Sequence, residues 1–367
     1  MTWIVLQGDA TETLKTLDAN TFNCVVCSPP YWGLRDYEVD GQIGLEDTFE
    51  EFLARLVTTF EEVRRVLRKD GVMWLNMGDS KIGNPPATLS GERFLNRGRL
   101  NENKRKIRPY NLKLKDTIGQ PWRLAFALQA AGWYLRQDII WHKPNPMPES
   151  CRDRPTVCHE YIFLFSKSRR YHYDAKAIQE ECSESTHLRV SQDVAAQIGS
   201  ERAHGQSKKN GPMKAVGGWK NGAGVAHDAV SASRGKTKAH GRNSRMNVDS
   251  VPVPRKYNSS FAESVVLPVL HRNKRSVWTI PTESFKGAHF ATFPKALVEP
   301  CILAGCPVGG RVLDPFAGSG TTGVVATTLH RSFCGIELSP KFAAMARRRI
   351  AETDPGGRQV DLREILA

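Results

Sequence analysis

Residues 311–337 narrow most sharply what this chain can fold into. Arg311-Val312-Leu313-Asp314 reads as a short buried strand that runs straight into Pro315-Phe316-Ala317-Gly318-Ser319-Gly320-Thr321-Thr322-Gly323 and an apolar helix through Leu329. Ser332 to Glu337 is a second strand with an acid at its end. Strand, glycine turn, helix and strand make a crossover unit, whose strands lie parallel and whose helix packs on the sheet. The glycines let backbone approach a ligand, the helix N-terminus offers N–H groups to an anion, and the terminal acid suits ribose hydroxyls. A glycine-rich turn with no ligand is the plainer reading of the same stretch.

The glycines of Gly318 to Gly323 fit a dinucleotide pattern, but Asp314-Pro315-Phe316 precedes them. An acid at that strand end repels a pyrophosphate and attracts an ammonium. A ligand with ammonium, carboxylate and ribose hydroxyls is S-adenosylmethionine.

The N-terminal half repeats the alternation. Residues 3–7 are a strand, Gly8-Asp9-Ala10 a turn, Thr11 to Leu17 a short helix and 22–27 a second strand. Thr48 and Glu51 form a capping box for a long helix, with Phe49, Phe52, Leu53, Leu56, Val57, Phe60, Val63, Val66 and Leu67 on one face. Arg64, Arg65, Arg68 and Lys69 suit its C-terminal end, and Gly71 is expected to stop it. Residues 72–76 are a buried strand, Pro121 to Ala131 a helix, Tyr134 to Trp141 and Tyr161 to Phe165 strands. After Val277 order returns: a helix opened by Thr292-Phe293-Pro294 and closed by Gly305, and a last helix capped by Ser339 before Pro340.

Between strand 22–27 and the next helix stands Ser28-Pro29-Pro30-Tyr31. Two prolines cannot donate to a ladder, so the strand ends in a stiff tip rich in acceptors: the Ser28 hydroxyl and the Ser28 and Pro29 carbonyls. Tyr31 and Trp32 follow as two aromatic faces. Fixed acceptors beside an aromatic plate suit a planar base with an exocyclic amino group, although a Pro-Pro turn alone would read the same way. Gly33 to Leu45 is a polar loop placed to cover the tip.

The formal charge is +14, and it is unevenly spread. Residues 81–115 hold 10 Lys/Arg against 2 Asp/Glu, and residues 167–276 hold 20 against 9. Two basic segments on a mildly acidic body suggest a polyanionic partner, nucleic acid above all, although a pair of solvated basic loops is the plainer reading. Residues 79–116 have no sustained period, and 196–250 are poor in large apolar residues; both are expected to be loops, the second mobile without a partner. No apolar run approaches membrane-spanning length, and the start lacks a signal-peptide pattern. Cys24 and Cys27 have a metal or redox spacing, but positions i and i+3 of a strand face opposite ways, so they read as buried thiols.

These motifs resemble the amino-methyltransferase family of DNA methyltransferases, in the β-class order. Ser28-Pro29-Pro30-Tyr31 is similar to the family's catalytic motif and Asp314 to Thr321 to its S-adenosylmethionine motif. Gly8-Asp9-Ala10, Asp138 to Pro144, His159 to Lys167 and His289 to Pro294 resemble supporting segments in the expected order. Protein-glutamine and many RNA or small-molecule methyltransferases with a similar tetrapeptide place the cofactor motif first. The resemblance covers about 1–78, 117–170 and 277–367.

It implies an α/β, Rossmann-like methyltransferase sheet with helices on both faces, formed by 1–170 and 277–367 with the basic loop 79–116. The basic insert 171–276 is the expected target-recognition region. The implied reaction moves a methyl group from S-adenosylmethionine to the amino group of a flipped base in double-stranded DNA. Ser28, Pro29, Pro30 and Tyr31 are the implied catalytic residues. Asp314 would hold the methionine ammonium, Gly318, Gly320 and Thr321 the carboxylate, Glu337 the ribose and Asp9 the adenine, with Phe316 packed on the cofactor. In this family Ser at the first motif position goes with cytosine N4, and Asp or Asn with adenine N6. N4-cytosine is therefore expected, with N6-adenine as the alternative; an RNA-base methyltransferase or a non-catalytic DNA-binding regulator are further ones. A homodimer, a cognate restriction nuclease, a cytoplasmic location and the absence of a metal complete the expectations.

Overall fold

The computed structural model describes residues 1–33, 39–82, 112–113, 115–182, 271–283, 293–354 and 356–361. Most of the basic segments 79–116 and 171–276, all of 196–250, the first part of His289 to Pro294, and 34–38 of the loop after Trp32 lie outside the described residues. In chain order the elements are β1 (Thr2–Gln7), α1 (Ala10–Lys15), β2 (Phe22–Cys27), α2 (Phe49–Val66), β3 (Leu67–Met77), α3 (Gln120–Ala130), β4 (Tyr134–His142), β5 (His159–Ser166), β6 (Glu180–Glu181), β7 (His271–Arg272), β8 (Val277–Thr279), α4 (Lys295–Gly305), β9 (Arg311–Asp314), α5 (Thr321–Thr328), β10 (Ser332–Glu337), α6 (Pro340–Thr353) and β11 (Arg358–Gln359).

Two compact units emerge: Met1–Ile178 with Asn273–Ala367, and Gln179–Arg272. The second, as far as it is described, is the antiparallel pair β6–β7. Its limits fall inside the expected 171–276, because Ile178 is buried in the core of the first unit and Tyr171 packs against that core.

The first unit is built on a nine-stranded sheet in the order β11-β1-β10-β9-β2-β3-β5-β4-β8. Neighbours are parallel except at β5, which is antiparallel to both β3 and β4. Side chains alternate between two cores as the pleat demands. Ile4, Val25, Cys27, Met73, Leu75, Leu313 and Ile336 face the core that holds Leu14 of α1, the apolar stripe of α2 and Leu124 and Leu128 of α3. Trp3, Val5, Cys24, Val26, Val72, Trp74, Val312 and Phe333 face the core built with α4, α5 and α6. Cys24 and Cys27 thus lie on opposite faces of one strand. Burial pushes both thiols well above the ordinary range, Cys24 with neighbouring thiols adding and Cys27 with Asp314 adding.

The capping box of α2 is present, with Glu51 N–H on Thr48 Oγ1 at 3.1 Å and Thr48 N–H on Glu51 Oε2 at 3.2 Å. The helix ends at Val66, not near Gly71. Leu67 turns extended, is fully buried and pairs with Phe22, and the next pair is Val72 with Cys24. Arg68, Lys69 and Asp70 are looped outward in between, exposed. Gly71 lies within β3, where the packing requires a glycine: a Cβ would sit 2.6 Å from Leu67 Cγ and 3.0 Å from the Asn23 carbonyl. Ser339 precedes α6 as expected but makes no side-chain cap. Its N–H donates instead to Glu337 Oε1 at 2.9 Å.

Candidate active site

Four adjacent parallel strands, β1, β10, β9 and β2, end at one edge of the sheet. Gln7 lies beside Glu337, Gly335 beside Asp314, and Val25 beside Leu313. That register brings Gly8-Asp9, Glu337, the glycine turn and Ser28-Pro29-Pro30-Tyr31 together, although Ser28 and Asp314 are far apart in the chain. The carboxyl ends of such strands are where open α/β sheets bind ligands. β3 adds Asn76, Gly78 and Asp79 at the same edge. Because β5 runs the other way, its start delivers His159 and Glu160 there, opposite the end of β4.

The glycine turn is tied from within. Asp314 is 1% exposed. Its Oδ2 accepts from Thr322 Oγ1 at 2.6 Å and its Oδ1 from the Phe316 N–H at 3.0 Å. Glu337 accepts the Gly318 N–H at 2.8 Å through Oε2. Gly318 (φ 52°) and Gly320 (φ 81°) take the left-handed conformation. At Gly320 a Cβ would also lie 2.8 Å from that of Ala346, so the residue lets α5 and α6 close together.

Several expected ligand contacts look different in this geometry. Asp314 is turned inward and braces the turn instead of facing outward toward an ammonium. The Gly318 and Gly320 N–H groups are spent on Glu337 and on the Ala317 carbonyl (2.7 Å). Thr321 is buried with its hydroxyl 3.4 Å from Arg349 Nη1. What stays available for a carboxylate is the first turn of α5, whose N–H groups have no partner within the helix. Asp9 caps α1 through the Glu12 N–H at 3.0 Å and lies 3.7 Å from Arg55 Nη2. Phe316 is half-buried and meets Phe60 edge-on at 6.1 Å.

The chemistry of this end fits a cationic ligand. Buried Asp314 at the end of β9 and half-buried Glu337 at the end of β10 are two neighbouring carboxylates, and among the described residues neither has an ion pair. Burial pushes Asp314 up to about 7, with the nearby Glu337 charge adding, against the bonds from Thr322 and Phe316. Burial also raises Glu337, offset by the Ser339 and Gly318 N–H groups. A sulfonium with an ammonium would compensate charge that the fold leaves uncompensated.

The tip after β2 is anchored differently. Ser28 is half-buried and Pro29 buried. Trp32 is not an open aromatic face: it is 7% exposed, edge-on to Phe49 at 5.7 Å, with Nε1 on the Glu46 carbonyl at 3.0 Å. Residues 39–46 do not form a free cover either. Ile43 is buried, Gly33 N–H bonds the Gly44 carbonyl, and Arg55 holds Gln42 and Glu46. Tyr31 keeps a half-buried ring, and its hydroxyl donates to Glu160 Oε2 at 3.3 Å and accepts the Gly78 N–H at 2.8 Å.

Motif reading missed the supports of this tip. Glu160 also takes Asn76 Nδ2 at 3.2 Å and pairs with Lys143. Buried Gln120 holds the Trp32 N–H at 3.2 Å and reaches Ser80. Asp79 accepts from the Gly119 and Gln120 N–H groups (3.0 and 3.1 Å), serving as the cap that Gly119 lacks. A charged residue at the start of a core strand, as Glu160 is in His159-Glu160-Tyr161, is the one signal that could have found them.

A mostly parallel sheet, with a glycine turn and a proline-stiffened tip side by side at the carboxyl ends of its strands, is the Rossmann-like fold of a methyltransferase. The DNA methylase family of N6/N4 type matches residues 22–348, and the chain belongs to it. Among its relatives, the Type II methyltransferase M.SmaI of Serratia marcescens is 41% identical over 94% of this chain and 90% of its own length. The Type II methyltransferase M.Cfr9I of Citrobacter freundii is 39% identical over 95% and 88%. A Thermus thermophilus chain described as a DNA modification methylase, solved with S-adenosyl-L-methionine, matches with a TM-score of 0.53 at 20% identity, covering 98% of each chain. PvuII DNA methyltransferase, described as cytosine-N4-specific, gives 0.53 at 15% identity over 100% of this chain and 90% of that one. These two support the fold alone. The protein is an S-adenosylmethionine-dependent DNA amino-methyltransferase.

Proposed function

We propose that this protein methylates N4 of cytosine, flipped out of duplex DNA, at a specific site. The observation that carries the base assignment is Ser28, a neutral hydroxyl at the head of a tip whose following two positions are prolines. The target amino group cannot be reached within the stack, and extruding the base costs a few kcal/mol, roughly, for a paired base. Tyr31 then stacks on the base. The Ser28 hydroxyl and the Pro29 carbonyl accept hydrogen bonds from its amino group and draw the nitrogen lone pair out of ring conjugation. When bound, S-adenosylmethionine supplies an electrophilic methyl group. Glu337 would hold its ribose, Asp9 its adenine and Phe316 a face of the cofactor. The first turn of α5, from Thr321 beyond Gly318 and Gly320, would take the carboxylate, and buried Asp314 would favour the positive charge through space. Catalysis by this chain is then positioning and electrostatics.

The basic stretches 79–116 and 171–276, with the compact unit Gln179–Arg272 at the heart of the second, supply phosphate contacts and site recognition in this proposal. Homodimerisation, a partner restriction nuclease of the kind implied by the Type II relatives, and a cytoplasmic location belong to the same reading. Purified protein, labelled S-adenosylmethionine and unmethylated genomic DNA, followed by nucleoside mass spectrometry, test it. N4-methylcytosine is the expected product. N6-methyladenine would overturn the base assignment and leave the site residues in place.

A further inference from the structure

We propose that Glu160 is a positioning residue for methyl transfer: it holds the Tyr31 hydroxyl, and with it the Ser28-Pro29-Pro30-Tyr31 tip, against the ends of β3 and β5. The inference rests on the reading of that tip as catalytic. Pro29 and Pro30 have no N–H, so the sheet ladder cannot fix the backbone beyond Cys27. Within the tip itself the side-chain anchor is the Tyr31 hydroxyl; the Trp32 N–H that follows is held by Gln120 at 3.2 Å. The Tyr31 oxygen accepts from the Gly78 backbone at 2.8 Å and donates to Glu160 Oε2 at 3.3 Å.

Glu160 is itself held from two further sides. Lys143 pairs with Oε1 and stands 4.3 Å from the centre of the Trp141 ring. Asn76 Nδ2 donates to Oε2 at 3.2 Å and to the Tyr161 carbonyl at 3.2 Å, binding Glu160 to the register of β3 and β5. Gly78 leaves the room: a Cβ there would lie 3.1 Å from Cγ and Cδ of Glu160. Burial first, and then the Glu160 charge, push the Tyr31 phenol well above its ordinary value, against the Gly78 N–H and the Ser28 hydroxyl. The phenol therefore stays protonated and remains the donor. A ring pinned at its hydroxyl keeps one face for the base while the tip acceptors keep their distance to the amino group. Displacement of about 1 Å at such a site costs on the order of 100-fold in rate.

The test is a double-mutant cycle on the full-length protein, reading kcat and KM for methyl transfer to DNA and Kd for S-adenosylmethionine. Glu160→Ala and Tyr31→Phe should each lower kcat about 10- to 100-fold. Cofactor Kd and DNA KM should move less than about threefold, and the double variant should be no slower than the slower single within about twofold. Glu160→Gln, which keeps one acceptor oxygen, should recover part of the loss. Multiplying losses in the double variant, or an unchanged kcat in Tyr31→Phe, would overturn the proposal. Should Glu160→Ala not fold, Glu160→Gln with Tyr31→Phe closes the same cycle under the same criteria. Ser28→Ala is run beside them: if it keeps full kcat, the catalytic reading of the tip fails, whatever the cycle returns.

Discussion

The turn after β9 and the tip after β2 lie side by side and are held by opposite means. The first is fastened from inside, through a fully buried aspartate, a glutamate bonded to backbone N–H groups and two glycines in the left-handed region. The second has no backbone donors at its two prolines and is fastened from outside, by the Tyr31 phenol reaching across to β3 and β5 and by Gln120 on the following Trp32 N–H. The difference matches two tasks. A cofactor turn must keep charge and shape while its ligand comes and goes. A tip that receives a base must present acceptors outward, so its restraints have to come from behind.

Replacing Tyr31 by Ala should break the second arrangement and spare the first. The expected loss is about 10²- to 10³-fold in kcat, the size found when a positioned catalytic contact is removed. Cofactor affinity by calorimetry should hold. Equal loss of both would mean that the two regions are not separable. Gly320→Val addresses the other side. It forces a β-branched residue to φ 81° and a Cβ against Ala346, which together should cost about 2–4 kcal/mol in thermal unfolding.

A smaller effect is a pH dependence of the β9 turn. With its pKa raised to about 7, Asp314 holds a proton in the folded protein that the unfolded chain releases. Stability of the ligand-free protein should therefore fall as pH rises from about 4 to 7, and affinity for the cationic cofactor should rise up to about tenfold between pH 6 and 8. Asp314→Asn should flatten both slopes; an unchanged affinity slope would assign the proton to another group. Smallest is Thr48→Ala, which removes the α2 cap, a side chain bonded to Glu51 and to neither tip. It should lower stability by about 1 kcal/mol and leave kcat where it is.

Much of the fold was legible because its signals are local. The stripe of α2, the strand at 22–27, the glycine turn and the acid at Glu337 each announce themselves within a few residues. The errors have a common origin. The end of α2 was misplaced because Leu67 leaves the helix to pair with Phe22, a partner 45 residues upstream in the chain. Trp32 looked like an exposed plate because nothing beside it says that Phe49 and the Glu46 carbonyl will cover it. The bracing role of Asp314 was not legible either, because Thr322, in the first turn of the following helix, gives no sign that its hydroxyl will point back.

The sequence by itself determined the alternation of strands and helices, the two motifs and their order, since these depend on propensity, periodicity and the chemistry of neighbouring residues. Tertiary structure alone decided that the two motifs meet, which carboxylates are buried, and that Glu160, Lys143 and Asn76 converge behind Tyr31. Those outcomes depend on sheet register, above all on β5 running against its neighbours, and register is set by packing across the whole sheet.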